Sequence, residues 1–253
     1  VGILKNRRSQ VFFRCLKYSL QSQEFFLNVK GLGEIKAVAF DIDGTLYPQW
    51  KIHLSAVFNY ACHIIFYLYY GLVRNEMHRM ERVENFRVVQ AEKMAAFMRC
   101  SAREAESKLN AVVYDGLKKN FEKIPCYKDV PETFMKFREA GFKLALLSDF
   151  PPEQKGEIWG IKPYCDVILG TEFLGALKPD PYPFLETAKR LGVKPEEVLY
   201  VGNSIKYDVT GSRRAGMKSA YLLTGWRKLF RSRVKGADIC FSSYRQLQNI
   251  VLQ

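Results

Sequence analysis

The feature that most constrains this chain is a series of short apolar runs, each closed by polar residues or glycine. They read "KAVAF" (36–40), "KLALL" (143–147), "DVILG" (166–170), "VLYVG" (198–202) and "SAYLL" (219–223), with "DICF" (238–241) as a further candidate. Runs this short and apolar on both faces suit buried strands of a parallel sheet. Helical patterns separate the later runs. "PETFMKFREAG" (131–141) opens on proline and closes on glycine, both well suited to helix ends. "YPFLETAKRLG" (182–192) also closes on glycine, and "DVTGSRRAGM" (208–217) is shorter, with Ala215 and Gly216 small enough for close packing. The alternation predicts an α/β fold around a doubly wound, mostly parallel, Rossmann-like sheet.

One segment breaks the rhythm. Residues 50–125 hold no convincing strand and read as three helices, the last opening at Ser101 with Glu104 three residues on, a capping box. The expected division is an N-terminal appendage (1–35), an α/β core (36–49 and 126–253) and an all-helical insert (50–125). Within the appendage, Val11, Phe12, Leu16 and Leu20 fit one helix face, and "KGLG" (30–33) reads as a turn before the first strand.

Composition narrows the class. The chain has 253 residues, 48% of them hydrophobic and 14% aromatic, enough for a core and unlike a disordered protein. Six cysteines (Cys15, Cys62, Cys100, Cys126, Cys165, Cys240) include no C-x-x-C pair, which argues against a cysteine zinc site and for free thiols in a reducing, cytoplasmic setting. The net charge is +13, with basic residues crowded at Lys5, Arg7, Arg8, Arg14 and Lys17 and again at Arg227, Lys228, Arg231, Arg233 and Lys235. Such clusters attract nucleic acid, anionic lipid or phosphorylated substrates, or serve only as solvated surface. No nucleic-acid-binding motif accompanies them, so specific nucleic-acid binding is not expected. Arg14 and Lys17 interrupt the apolar stretch a signal peptide needs. Membrane contact is considered for the basic, aromatic N-terminus, although packing on the body is its default. Residues 54–73, "LSAVFNYACHIIFYLYYGLV", are uncharged over about the length of a spanning helix. Asn59, His63 and several tyrosines, and a position between parts of one site, predict a buried soluble helix instead.

In a doubly wound sheet, ligands bind at the carboxyl ends of the strands. The first strand ends in "FDIDGTLY", giving Asp41 and Asp43 with Gly44 and Thr45; the second ends in "LLSDF", giving Ser148 and Asp149. Lys178 stands in "LKPDPYPF" before a helix, and "VLYVGNSIKYD" supplies Asn203 and Asp208. D-x-D-G-T after an apolar strand, a strand ending in Ser, K-P before a helix and this last motif occur in order. Over residues 36–225 the chain resembles a phosphatase of the haloacid dehalogenase superfamily, with a helical cap inserted between the first two motifs.

The resemblance implies a Mg²⁺-dependent phosphomonoester hydrolase that works through an aspartyl-phosphate. Phosphoryl transfer needs an in-line nucleophile, donors around the phosphoryl oxygens and a proton for the leaving group. Asp41 is expected to attack, and Asp43 to protonate the leaving alkoxide and later activate water. Ser148 and the backbone at Gly44 would donate to the phosphoryl oxygens, while Lys178 offsets charge and holds Asp41 ionised. Asp149, Ser204 and Thr45 would orient these groups. The implied magnesium ligands are Asp41, the backbone carbonyl of Asp43 and Asn203, which stands where the family most often has Asp. Asp208 would support the ion through water or directly. Metal-free dehalogenases of the superfamily typically lack the second aspartate, so Asp43 favours phosphatase chemistry. A dehalogenase on the same fold and a non-catalytic binding or membrane-associated protein are the alternatives. The expected substrate is a small phosphorylated metabolite, with nucleotides and sugar phosphates as candidates. "YPQWKIH" (47–53) would bring Trp50, Lys51 or His53 near it or merely pack the hinge, and the three histidines read as structural or incidental.

Overall fold

The computed structural model describes residues 27–29, 31–121, 123–230 and 232–253. The expected N-terminal helix, the first basic cluster, Cys15 and Arg231 lie outside them. The six apolar runs form one parallel sheet of strands β3 (Ala37–Phe40), β4 (Lys143–Ser148), β5 (Val167–Gly170), β6 (Val198–Gly202), β7 (Lys218–Leu222) and β8 (Ile239–Phe241), in the order β5-β4-β3-β6-β7-β8. A separate antiparallel pair, β1 (Leu27–Val29) and β2 (Gly33–Ile35), precedes it. The turn expected at 30–33 is therefore shorter, because Gly33 already belongs to β2.

Strand pleating assigns alternate residues of β3 to two cores. Val38 and Phe40 face one cluster with Leu144, Leu146 and Val201, covered by helices Val130–Glu139 and Tyr244–Val251, where the Phe134 ring lies 4.5 Å from that of Phe40. Ala37 and Ala39 face the other, where Phe184 and Leu191 of helix Pro181–Leu191 fill the room the small side chains leave. Each fully buried phenylalanine contributes about 1.5–3 kcal/mol of transfer free energy. The order reverses beside β3: the chain leaves it toward β4 and returns to β6 on its other flank, where the Asp41 N–H donates to the Val201 carbonyl at 2.9 Å. Open α/β sheets place their ligands at such a reversal.

Within residues 49–121 the described elements are all helical, in three stretches as expected, the first of them interrupted. Residues 49–77 form helices Gln49–Ser55, Val57–Cys62 and Ile64–Met77, interrupted at Ala56 (φ −99°) and His63 (φ −127°). Phe86–Met98 is the second stretch, and the third runs from Ala102 to Phe121 through a π-helical turn at Asn110–Tyr114. Its capping box is present: Ser101 Oγ accepts from the Glu104 N–H at 3.2 Å, and the Ser101 N–H donates to Glu104 Oε2 at 2.8 Å. The expectation of a buried helix over 54–73 is not met. Phe66, Tyr70 and Val73 are buried, but Phe58 is 77% and Leu68 63% exposed, because the stretch has a second apolar face that no described element covers. Among the described residues no helix is long and apolar enough to cross a membrane. The described cysteines are free.

Candidate active site

The turn after β3 fixes the first two carboxylates. Ile42, buried between them, accepts backbone hydrogen bonds from Thr45 and Leu46, and Gly44 closes the turn at φ +85°, a region an L residue enters only at a cost. Asp41 is 3% exposed; its Oδ2 accepts from the Thr45 hydroxyl at 2.7 Å and its Oδ1 from Lys178 Nζ at 2.6 Å. The same ammonium donates to Asp208 Oδ1 at 2.8 Å. Asp208 Oδ2 accepts the N–H groups of Asn203 (3.1 Å) and Ser204 (2.9 Å). Gly202 permits this approach, since a Cβ there would stand 2.4 Å from that of Asp208.

One buried cation thus serves two carboxylates. Burial pulls the Lys178 ammonium down, but Asp208 and Asp41 outweigh it and keep it well above the usual lysine range. Burial pushes Asp41 up to about 7, against the pull of Lys178 and with a further push from Asp208 and Asp43. The ammonium expected to hold Asp41 ionised is thus shared with Asp208.

Asp43 has a cation of its own. Its Oδ2 lies 3.1 Å from Lys155 Nζ and accepts from Ser148 Oγ at 2.9 Å, and its Oδ1 accepts from the Tyr47 hydroxyl at 2.7 Å. Burial alone would raise this carboxyl; the Lys155 charge, with the Tyr47 and Ser148 donors, holds it below the ordinary value. Ser148 is fully buried and also accepts the Phe150 N–H at 3.1 Å, so its hydroxyl is engaged within the protein. Asp149 Oδ1 accepts from the Thr171 hydroxyl (2.8 Å) and the Lys178 N–H (3.2 Å), fixing the loop that carries Lys178.

Asp41, Asp43, Asp149, Lys178, Asn203, Ser204 and Asp208 line one cavity of about 660 Å³. Gln49, Tyr70, Gly71, Arg74 and His78 enter it from the helices, and Lys206, Tyr207, Tyr221 and Arg227 from beyond β6 and β7. Gly44, Thr45 and Ser148 stand behind the lining. Trp50, Lys51 and His53 are not among the lining residues; Gln49 is, and Trp50 turns outward at 62% exposure.

Several functional neighbours have no sequence signal of their own. Lys155 sits in a 3₁₀ turn of "PPEQKG" and reaches Asp43 only through the fold. Arg74 donates to Glu172 Oε1 at 2.6 Å and to the Asp149 carbonyl at 3.2 Å, tying helix Ile64–Met77 to the loop after β4. His78 is not incidental: its Nδ1 lies 2.6 Å from the Lys178 carbonyl, and its ring stacks on Tyr207 at 4.4 Å. A lysine in a turn, an arginine inside a helix and a histidine at a helix end are the only traces these leave in the sequence.

The donor set suits a hard divalent ion. Among the described residues no group of three or more His, Cys, Asp or Glu side chains could hold a metal. Magnesium needs less, because it takes one or two carboxylates and keeps waters. For such an ion Asp41 would supply a carboxylate, the turn a carbonyl at Asp43, and Asn203 an amide. A Cβ on Gly44 would meet Asn203 Nδ2 at 2.2 Å, so this amide lies directly over the Asp43–Gly44 turn. Asp208 accepts from Lys178 and from two N–H groups, and both oxygens of Asp41 are likewise engaged, by Lys178 and Thr45.

A family model described as haloacid dehalogenase-like hydrolase matches residues 35–216. Glyceraldehyde 3-phosphate phosphatase of Methanopyrus kandleri is 36% identical over 76% of this chain and 85% of its own length. Phosphoglycolate phosphatase of Aquifex aeolicus is 38% identical over 41% of this chain and 49% of its own. Pyrophosphatase PpaX of Halalkalibacterium halodurans is 28% identical over 74% and 83%. In fold, the chain is similar to a HAD phosphatase from Thermococcus onnurineus (TM-score 0.56, 23% identity, covering 85% of this chain and 97% of that one). It is also similar to the L-2-haloacid dehalogenase of Xanthobacter autotrophicus (TM-score 0.61, 19% identity, covering 86% and 98%).

Proposed function

From a chain that belongs to the haloacid dehalogenase-like hydrolases, on their phosphatase branch, we propose a Mg²⁺-dependent hydrolysis of a small phosphomonoester through an aspartyl-phosphate on Asp41. The observation that carries the reading is a pair of carboxylates at the mouth of one strand, buried Asp41 on an ammonium shared with Asp208 and half-buried Asp43 on Lys155.

Asp41, oriented by Thr45, attacks phosphorus, and the P–O bond to the leaving group breaks as the new one forms. Asp43, held below the ordinary carboxyl value in the free protein, takes up a proton as the anionic substrate enters beside it and gives that proton to the departing oxygen; it then takes one from the water that attacks the aspartyl-phosphate, returning Asp41 and releasing phosphate. Lys178 neutralises charge beside Asp41, while Ser148 and Tyr47 orient Asp43 rather than the phosphoryl group. Magnesium would be held by Asp41, the Asp43 carbonyl and Asn203, with Asp208 in support, and would supply positive charge between the two anionic reactants. Residues 50–125 form the helical cap of this reading, closing the cavity with Tyr70, Arg74 and His78 beside Gln49. Small phosphorylated substrates in the names of the relatives favour a metabolite of a few carbons, and Lys206 and Arg227 offer cations for its far end.

Hydrolysis of an aryl phosphate and of a panel of small phosphometabolites, with and without Mg²⁺, tests this. Turnover should need the ion and fall by at least about a thousandfold in Asp41→Asn, as expected when a nucleophile is lost. Equal turnover by the variant overturns the mechanism; metal-independent chloride release from a 2-haloacid would identify a dehalogenase instead.

A further inference from the structure

The outer face of residues 49–77 has no work in the reaction. Leu54, Phe58, Ile64, Ile65, Leu68 and Leu72 are each more than half exposed. Their spacing by three and four, continued through Ala61, makes one stripe across three short helices, and no charged residue occurs from 54 to 73. The inner face packs instead: Asn59 and Tyr67 both donate to the Val112 carbonyl at 3.1 Å. Isolated exposed apolar residues are ordinary, whereas a contiguous run marks an interaction surface.

This stripe meets the mouth of the cavity at both ends. Gln49 and Gly71 line the cavity, and their neighbours Trp50 and Leu72 face outward. On the core side Arg227 lines it, while Trp226 (76% exposed) and Phe230 (69%) stand beside it with ring centroids 6.1 Å apart. Cations border the apolar surface. Lys51 lies over Trp50, and Arg227 and Lys228 follow Trp226 in its short helix. Lys118 and Lys119 neighbour Asn120, which accepts from Ser55 at 2.8 Å. The carboxylate on that last helix is Asp115, and Glu76, past the end of the stripe, is held by Lys93.

Charge selects the occupant. Two copies of a chain carrying +13 repel one another, whereas an anionic surface attracts it. Exposed Trp, Phe and Leu framed by lysine and arginine are what a helix lying in a lipid headgroup layer presents. We propose that this face seats the protein on an anionic lipid bilayer, with the helices lying in the interface rather than crossing it and the cavity mouth held at the membrane surface. Apolar contact from the stripe and attraction between the bordering cations and acidic headgroups act together.

Flotation of the full chain with vesicles of phosphatidylcholine and phosphatidylglycerol in roughly equal parts, against phosphatidylcholine alone, tests the proposal. The chain should float with the anionic vesicles, less so at high salt. The double variant Ile65→Glu/Leu68→Glu should reduce binding by about tenfold or more. Neither residue lines the cavity, so turnover of a soluble aryl phosphate in the absence of vesicles should match the parent and shows that the variant is folded. Failure of the parent to float, or equal flotation by the variant, overturns the proposal; that outcome with a parent dimer that the variant abolishes would identify a second copy as the occupant.

Discussion

At the scale of single residues, the candidate site turns on where charge is left uncompensated. Asn203 brings an oxygen donor but no charge to a place ringed by Asp41, Asp43 and Asp208. Asn203→Asp should lower the Mg²⁺ concentration for half-maximal activity about five- to tenfold, one added unit charge being worth ~1 kcal/mol or more so close to a divalent ion; an equal or higher requirement in a Mg²⁺ titration would remove this residue from the ligand set. Asp41 makes a different prediction. Its carboxyl is raised from 3.8 to about 7 in the folded chain. Between those values the folded protein keeps a proton that the unfolded chain has released, so stability falls as pH rises through the window and levels off above it. In chelator-treated protein, the Tm of Asp41→Asn relative to the parent should therefore climb from about pH 5 to about pH 7 and then stay flat, as followed by thermal unfolding. Asp41, Asp43, Lys178 and Asp208 could be picked out beforehand because each follows a strand or opens a helix in a fixed order. Lys155 could not, for nothing in "PPEQKG" shows that the turn folds back onto Asp43.

At the scale of elements, strands and their adjoining helices were readable where the apolar period matched a single buried environment. Val38 and Phe40 against Ala37 and Ala39 is such a case, with large side chains on one face and small ones on the other. The 49–77 stretch defeated the same logic, since apolar composition does not tell a buried face from a bare one, and only packing reveals which side has a neighbour. The buried pair of Arg74 and Glu172 links these helices to the core and was equally silent, its partners being 98 residues apart. Glu172 also accepts from the Tyr114 hydroxyl at 2.9 Å. Arg74→Met leaves that carboxylate with a single distant cation, Arg87 at 3.9 Å, and should cost about 3 kcal/mol in denaturant unfolding, as breaking a buried pair does. A loss below about 1 kcal/mol would mean the pair contributes only what a surface bridge does.

At the scale of the whole molecule, the order of the sheet decides where chemistry can occur. Alternating runs sufficed to infer a parallel, doubly wound sheet, but the reversal at β3 that brings Asp41 beside Asn203 is a property of the connections and became visible only in three dimensions. Every catalytic candidate hangs from the carboxyl ends of β3, β4 and β6 or from the loop before helix Pro181–Leu191. The opposite edge carries none, and its turns at Gly141, Gly192 and Gly216 leave ample room around the chain, each with nothing nearer than 3.6 Å to an added Cβ. That edge is a free terminal for engineering: a reporter peptide, an affinity handle or a whole guest domain spliced at Gly192 would ride at the far end of the strands, leaving the reacting end unaware of its passenger.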